Sequence, residues 1–232
     1  MILNDLYYLN KYMYFRLNYV FTFLLSTFNN INYIPKYKIR NLIFNIYNIK
    51  SKGNNSLEHI VPQSIFKDNK NISKDLHNIL IYPSKVNTHR SNYKYISDPK
   101  FYEDSKIINN NGDIVKYENI LNDNFFIKSN KNKVFYPKKQ YRGEISRAAI
   151  YFCHTYPEYR DEIFDKVIDP YTMLSWHHEY PISNFERYKS LEIEKLQGNI
   201  NIFVNDPKKA VEFLEEILDI NFSIYENYDY NK

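Results

Sequence analysis

The sequence predicts an α+β domain in which helices predominate. Residues 56–93 show the order strand, loop, strand, helix, because two short apolar runs on either side of a polar segment precede a helix-start signal. Farther along, apolar residues recur at the spacing of one helix face and predict a central buried helix. This stripe consists of Ile145, Ala148, Ala149, Phe152 and Tyr156. Asp206 followed by Pro207 predicts the start of a C-terminal helix.

The elements of the first half of the domain are short and closely spaced. A helix is expected over residues 37–47, before a turn rich in glycine and asparagine. Residues 56–61 are expected to form a strand that Pro62 ends, and residues 76–82 a second, apolar strand. The helix that follows is expected to begin at Ser84, a suitable N-cap residue.

An Asn-rich insertion lies between these elements and the central helix. Residues 98–132 lack a regular apolar pattern, and their one clear signal is Asn111-Gly112-Asp113, which is typical of a hairpin turn. We expect the insertion to be irregular and to decorate the core.

Composition excludes some classes of protein and leaves others open. The 232 residues are 44% hydrophobic and 18% aromatic, which is too apolar for a disordered chain. The net charge of +4 permits a polyanionic partner but does not require one. The single cysteine, Cys153, excludes an intramolecular disulfide and a Cys-x-x-Cys zinc site, as expected for a reducing compartment, and is expected to be a packed core thiol.

The N-terminal segment has two interpretations. Lys11 and Arg16 precede an apolar run over residues 19–28, which weakly imitates a signal sequence. No small-residue cleavage site follows, and the run is too short to span a bilayer. We therefore expect an aromatic helix packed on the core, no transmembrane span, and an intracellular protein of the cytoplasm, nucleus or a viral factory. Secretion or attachment to a membrane is the alternative.

Two pairs of residues suggest chemistry on a phosphodiester. Glu58 and His59 place a carboxylate beside an imidazole just before Pro62, and Asn87 and Arg90 share one face of the predicted helix. Glu58 and His59 can share a site only where the strand ends or twists, because neighbouring strand residues point to opposite sides. A carboxylate and an amide oxygen suit Mg²⁺, and a neutral imidazole near such an ion can take a proton from water. Hydrolysis of a phosphodiester needs this combination.

The segments that carry these residues resemble the signature of the endonuclease I family. The matching stretches occur in the family's order between about residues 58 and 204, and six such stretches together are far more specific than one. They are residues 58–64 (Glu-His-Ile-Val-Pro-Gln-Ser), 75–78 (Asp-Leu-His-Asn), 86–92 (Val-Asn-Thr-His-Arg-Ser-Asn), 135–137 (Phe-Tyr-Pro), 142–147 (Arg-Gly-Glu-Ile-Ser-Arg) with Tyr151, and Trp176 with 197–199 (Gln-Gly-Asn).

The resemblance implies a ββα-metal, or His-Me, finger within the α+β domain. By this resemblance His59 is the general base, and Glu58 and Asn87 hold one divalent cation, Mg²⁺ or another ion such as Mn²⁺ or Ca²⁺. It also implies a DNA endonuclease, in many relatives active on RNA too, with little sequence preference and 5′-phosphate products. No obligate protein partner is inferred.

Further residues have expected roles around this set. Asp75, His77 and Asn78 are expected to brace the finger by hydrogen bonds rather than take part in the chemistry. The loop after His59 lacks the arginine that stabilises the product in similar proteins, so a lysine is the expected substitute. Arg142 and Arg147 are interpreted either as helix-surface charges or as phosphate contacts. The candidate contacts to phosphate are Arg90, Arg142, Arg147, Lys67, Lys70 and Lys74.

The chain therefore divides into three expected parts, and alternative functions stay open. Residues 1–35 are expected to be the aromatic extension or leader, 36–206 the endonuclease I-like nuclease domain, and 207–232 a C-terminal helix with a polar tail. One alternative is a site- or structure-specific nuclease of the same finger class, in which the insertion adds recognition. The other is a non-catalytic nucleic-acid-binding or virion-associated protein.

Overall fold

The fold joins a ββα unit, a small mixed sheet and a layer of helices. The computed structural model describes residues 31–50, 53–99, 102–116 and 125–218. The expectations for residues 1–30 lie outside the described residues. The α+β class is confirmed, with helices predominating.

The ββα unit follows a first helix, α1 (Lys36–Ile46). Strand β1 (Asn55–His59) pairs antiparallel with β2 (Ile79–Pro83), and helix α2 (Ser84–Arg90) follows directly. The predicted order of strand, loop, strand and helix is confirmed. Two details differ: the Ser84 side chain caps nothing, because Pro83 holds the N-cap position, and the second strand starts three residues late.

The late start of β2 has a local cause. Residues Leu76–Asn78 form a 3₁₀ turn in which the Asp75 carboxylate accepts a hydrogen bond from the His77 backbone N–H. Such side-chain capping competes with strand pairing. The apolar run therefore divides into a capped turn and a shorter strand.

Both faces of β2 are buried, which explains its continuous apolar sequence. Leu80 and Tyr82 belong to the main core, whereas Ile79 and Ile81 pack in a second cluster with α1 residues such as Ile43. A one-residue slip of β2 would exchange these two faces. The ββα unit is thus held in register from both sides.

Five short strands form a second sheet: β3 (Lys94–Tyr95), β4 (Lys106–Ile108), β5 (Ile114–Val115), β6 (Phe126–Ser129) and β7 (Val134–Tyr136). Their order is β3-β7-β6-β4-β5, and only β3 and β7 run parallel. The hairpin turn predicted at Asn111-Gly112-Asp113 is confirmed, because Gly112 has a φ of 82° between β4 and β5. The expectation of an irregular insertion was wrong, since three of the strands come from it.

The helical layer contains α3 (Lys139–Thr155), α4 (Arg160–Lys166), α5 (Pro170–Glu179), α6 (Asn184–Gln197), α7 (Ile202–Asn205) and α8 (Lys208–Leu218). The prediction of a central buried helix is confirmed by α3, whose predicted stripe and Cys153 are all buried. The C-terminal helix start after Asp206 is also confirmed. On α5, the residues Trp176, His177 and His178 pack in the interior. Among the described residues, no helix has both the length and the apolar character needed to cross a membrane.

Candidate active site

Helix α2 presents one face to β1, and Asn87 lies in that contact. The Asn87 Nδ2 donates hydrogen bonds to the Leu57 carbonyl oxygen at 2.8 Å and to the Ser56 Oγ at 3.0 Å. Both bonds use the amide nitrogen, so the amide oxygen Oδ1 is the atom left to bind a ligand. Strand β1 thereby fixes which way the Asn87 amide is turned.

The Glu58 carboxylate is buried beside the same face of α2. Its Oε1 accepts a hydrogen bond from the Tyr95 hydroxyl at 3.2 Å and lies 3.1 Å from Arg90 Nη1. Burial raises the pKa of Glu58 to about 7, and the positive charge of Arg90 and the Tyr95 hydrogen bond oppose that rise. Both contacts are made by Oε1, so Oε2 is the oxygen that remains for a cation.

Arg90 is an interior residue that joins α2 to the end of β1. Its Nη1 donates to the His59 carbonyl oxygen at 3.1 Å, and its Nη2 donates to the Ile60 carbonyl oxygen at 2.6 Å. The guanidinium carbon also lies 4.5 Å from the centre of the Tyr95 ring. Because its side chain is only 2% exposed, Arg90 holds Glu58 and the backbone around His59 and does not present its charge on the surface.

His59 is the last residue of β1, the position where adjoining residues can serve one site. Its Nε2 lies 2.9 Å from the Gln63 Nε2, and a hydrogen bond with the Ser73 backbone also holds the ring. Burial lowers the pKa of His59 to about 4, and the positive charges of Arg90 and Lys36 add to the effect. The imidazole is therefore neutral at pH 7 and has one nitrogen able to accept a proton.

The chain just after His59 is fixed by Asn78. The Asn78 Oδ1 accepts a hydrogen bond from the Val61 N–H at 2.8 Å, and its Nδ2 donates to the Val61 carbonyl oxygen at 2.9 Å. The Asn78 carbonyl oxygen also accepts from the Ile60 N–H. Both sides of the Asn78 amide are thus used to hold the first residues of the loop.

Asp75 is fully buried and connects the ββα unit to the helical layer. Its Oδ1 accepts hydrogen bonds from the His77 N–H and from Gln197 Nε2, and its Oδ2 accepts from the hydroxyls of Tyr151 and Tyr156. The His77 ring is buried as well, and its Nε2 lies 3.2 Å from the carbonyl oxygen of Asn199, just beyond α6. These contacts are structural and lie away from the Asn87 face of α2.

Arg142 and Arg147, both on α3, are interior residues with internal partners. Arg147 forms a two-pronged ion pair with Glu186, at 2.6 and 2.7 Å. Arg142 donates to the Pro137 carbonyl oxygen and to the Tyr180 hydroxyl. With 4% and 1% of their surfaces exposed, Arg142 and Arg147 are not the helix-surface charges that one interpretation expected. The other interpretation, contact with phosphate, stays a prediction.

Comparison with known protein families assigns the chain. The Endonuclease I family model matches residues 19–208, well over half of the chain. The chain belongs to the endonuclease I family. It is therefore a nuclease, a hydrolase that acts on nucleic acid, and nucleases of this family generally depend on a divalent metal.

In this endonuclease I family member, the expected lysine contacts lie in the loop after β1. Lys67 and Lys70 are exposed, while Lys74 is partly buried and its Nζ donates to the Asn71 Oδ1 at 2.7 Å. The loop thus keeps two exposed cations downstream of His59.

Sequence reasoning missed the residues that orient the site of this nuclease. Tyr95 and Gln63 contact Glu58 and His59 directly, and Ser56 turns the Asn87 amide. Gln63 follows His59 within the family motif, which was the one available signal. The described residues contain no group of three or more His, Cys, Asp or Glu side chains arranged to hold a metal ion.

Proposed function

We propose that the chain is a metal-dependent endonuclease that hydrolyses phosphodiester bonds in DNA, and in RNA as well, with little sequence preference. In this proposal His59 is the general base, and Glu58 and Asn87 hold one divalent cation, with Mg²⁺ as the expected ion. The products carry the phosphate on the 5′ side of the cut.

The orientation of Asn87 carries the proposal. Because Leu57 and Ser56 engage Nδ2, the oxygen of the amide is free for a hard cation. The Glu58 Oε2 offers a second oxygen, since Oε1 is held by Arg90 and Tyr95. Mg²⁺ is usually held by few protein ligands, with water and phosphate completing its shell, so two oxygens fit it.

The state of His59 supports its role in proton transfer. Burial lowers the pKa of His59 to about 4, so the ring is neutral over the physiological range and able to accept a proton. Contacts with Gln63 and the Ser73 backbone hold the ring in place. An immobilised neutral imidazole at the end of β1 is the base that hydrolysis requires.

The reaction is a hydrolysis in which His59 takes one proton from the attacking water. The oxygen of that water forms a bond to phosphorus, the bond from phosphorus to the 3′ oxygen breaks, and the 3′ oxygen takes a proton from solvent water, which leaves a 3′ hydroxyl and a 5′-phosphate. A divalent cation, when bound, supplies positive charge that stabilises the phosphoryl and leaving oxygens. Arg90 and Tyr95 keep the Glu58 carboxylate in position throughout. Lys67 and Lys70 are the candidates to neutralise the product phosphate.

Plasmid cleavage tests the proposal. The wild-type chain is expected to cut supercoiled plasmid with Mg²⁺ and to stop with EDTA. His59→Ala is expected to lower the rate by roughly 10²–10⁴-fold, the usual contribution of a positioned base. His154→Phe is the matched control, because His154 packs against Phe203 and Phe213 in the helical layer. A His59→Ala variant as fast as the control would reject His59 as the base.

The metal ligands are tested by titration with Mg²⁺. Asn87→Ala and Glu58→Gln are each expected to raise the Mg²⁺ concentration for half-maximal rate by roughly tenfold or more. Asn205→Ala, an exposed asparagine on α7, is the control. If all three variants titrate like the wild type, the ligands lie elsewhere. Ligation of the products without prior kinase treatment tests the 5′-phosphate, and fragment patterns from unrelated plasmids test specificity.

A further inference from the structure

Two lysines face each other across neighbouring strands of the second sheet. Lys106 on β4 and Lys128 on β6 are direct partners in the antiparallel register. Side chains so placed have Cβ atoms about 5 Å apart, and like charges there are destabilising. Within the described ranges neither ammonium forms an ion pair. Among the described residues, this pair of positive charges therefore has no carboxylate partner.

Helix α2 places a lysine and a histidine beside this pair. Lys85 and His89, one helical turn apart, both contact the β4–β5 turn: Lys85 Nζ lies 2.7 Å from an Asp113 carboxylate oxygen, and His89 Nε2 lies 3.1 Å from the Gly112 carbonyl oxygen. A Cβ on Gly112 would clash with the Lys85 side chain, so this turn sits directly against α2. Asp113 balances Lys85 and leaves the charges of the facing lysines unbalanced.

The surroundings of His89 place it with both lysines. Burial is the largest cause that lowers the pKa of His89, and the positive charges of Lys128, Lys106 and Lys85 lower it further. Lys106 likewise contributes to lowering the pKa of Lys128, after burial. Helix α2 packs against β6 and against the β4–β5 turn, so the two facing lysines and the neutral His89 ring lie together. We call them the rim cluster: Lys106, Lys128 and His89.

The rim cluster lies on the other side of α2 from Asn87. Asn87 contacts β1, whereas His89, two residues on, contacts the β4–β5 turn. Residues two apart on a helix point to opposite sides, so α2 lies between the Asn87 amide and the His89 side of the rim cluster.

We propose that the rim cluster binds the sugar-phosphate backbone of the nucleic-acid substrate on the other side of α2 from the scissile phosphate. This inference rests on the proposed function, which places the scissile phosphate at Asn87. Facing lysines destabilise the free sheet, and phosphate between them removes the repulsion. The insertion at residues 98–132 thereby supplies a substrate-binding surface that the buried arginines of α2 and α3 do not supply.

Binding measured in EDTA tests the surface without catalysis. The wild type and Lys106→Gln/Lys128→Gln are titrated into a fluorescently labelled duplex of about 20 base pairs at several salt concentrations. The slope of log affinity against log salt is expected to be shallower by about 2 in the double variant, since each lost phosphate contact removes about 0.9. Lys208→Gln/Lys209→Gln, which removes two exposed lysines of α8, is the matched control and is expected to keep the wild-type slope.

Thermal unfolding of the same proteins separates binding from folding. The Lys106→Gln/Lys128→Gln variant is expected to melt no lower than the wild type without nucleic acid, because it loses a like-charge pair. A slope equal to that of the control variant overturns the inference, and so does a lower melting temperature that accounts for the lost binding. Failure of the proposed function is seen separately, as wild-type protein that binds the duplex in EDTA but does not cut it with Mg²⁺.

Discussion

Replacing Arg90 with methionine tests the idea that this arginine holds the Glu58 carboxylate in the interior. Both side chains are 2% exposed, and their closest atoms are 3.1 Å apart. Removing one partner of such a buried pair is expected to lower the free energy of unfolding by about 3–5 kcal/mol, because the other charge remains without compensation. Arg90 also donates to the carbonyl oxygens of His59 and Ile60, so the loss is expected at the upper end of that range.

The effect of Arg90→Met on the free energy of unfolding is also expected to depend on pH. Glu58 already has its pKa raised to about 7 by burial, and without Arg90 the pKa would rise further. A carboxyl whose folded pKa lies above its unfolded value stabilises the fold at low pH and loses that contribution as the pH rises through the folded pKa. The difference between Arg90→Met and the wild type is therefore expected to grow as the pH rises above about 7, where Glu58 ionises in the folded wild type and stays protonated in the folded variant.

Urea unfolding in EDTA measures these effects. Arg40→Met is the control, because Arg40 also donates to a β1 carbonyl oxygen, that of Asn55, but forms no ion pair among the described residues. Its loss is expected to be about 0.5–1.5 kcal/mol. The double variant Glu58→Gln/Arg90→Met is expected to be more stable than Arg90→Met, since no buried charge remains. A loss for Arg90→Met no larger than for Arg40→Met, or a double variant no better than the single, would refute the reasoning.

Three further outcomes are expected. Burial, and then the charges of two nearby cations, lower the pKa of His154 to about 4. The neutral His154 ring therefore contributes its full stability above the unfolded pKa near 6.5. This contribution to the free energy of unfolding is lost toward pH 4, by up to about 3 kcal/mol. Urea unfolding against pH should show His154→Phe without that part of the loss. Ile79 pairs with His59 between β1 and β2, and Lys189 Nζ donates a hydrogen bond to the Ile79 carbonyl oxygen. In Lys189→Met this oxygen loses its donor, so kcat is expected to fall more than KM rises. Lys189→Arg is expected to restore part of kcat. Added salt should raise KM with little change in kcat, measured on plasmid, because exposed contacts are screened and buried ones are not.

Long periodic elements and dense motifs were predictable from the sequence. Helix α3 and its C-cap carry the five apolar residues predicted at helical spacing, and the structure buries all of them. The ββα order followed from two apolar runs on either side of a polar loop. The second sheet was not predictable, because strands of two to four residues carry too little alternation to identify. Its parallel pair, β3 with β7, also joins segments about forty residues apart, which no local pattern reveals.

The arginines show a different limit of sequence reasoning. Arg90, Arg142 and Arg147 occur in motifs of a nuclease, and a basic residue there suggests phosphate. Their partners are distant in sequence: Glu58 pairs with Arg90, and Glu186 with Arg147. Burial decides between the two roles, and burial depends on the tertiary packing. The motifs therefore identified these arginines as family residues but could not predict whether each one is buried in an ion pair.

The distribution of charge follows a physical division between positioning and binding. Buried ion pairs such as Glu58–Arg90 fix geometry, because a charge in the interior is stable only beside its partner. The arginine of such a pair cannot also bind a mobile, hydrated polyanion, since the buried carboxylate would then be left without its compensating charge. Lysines outside such pairs can, among them the exposed Lys106 and the partly buried Lys128, because water carries their charge until phosphate replaces it. Because this fold keeps its motif arginines inside, we expect contacts with a moving substrate to come from lysines of this kind.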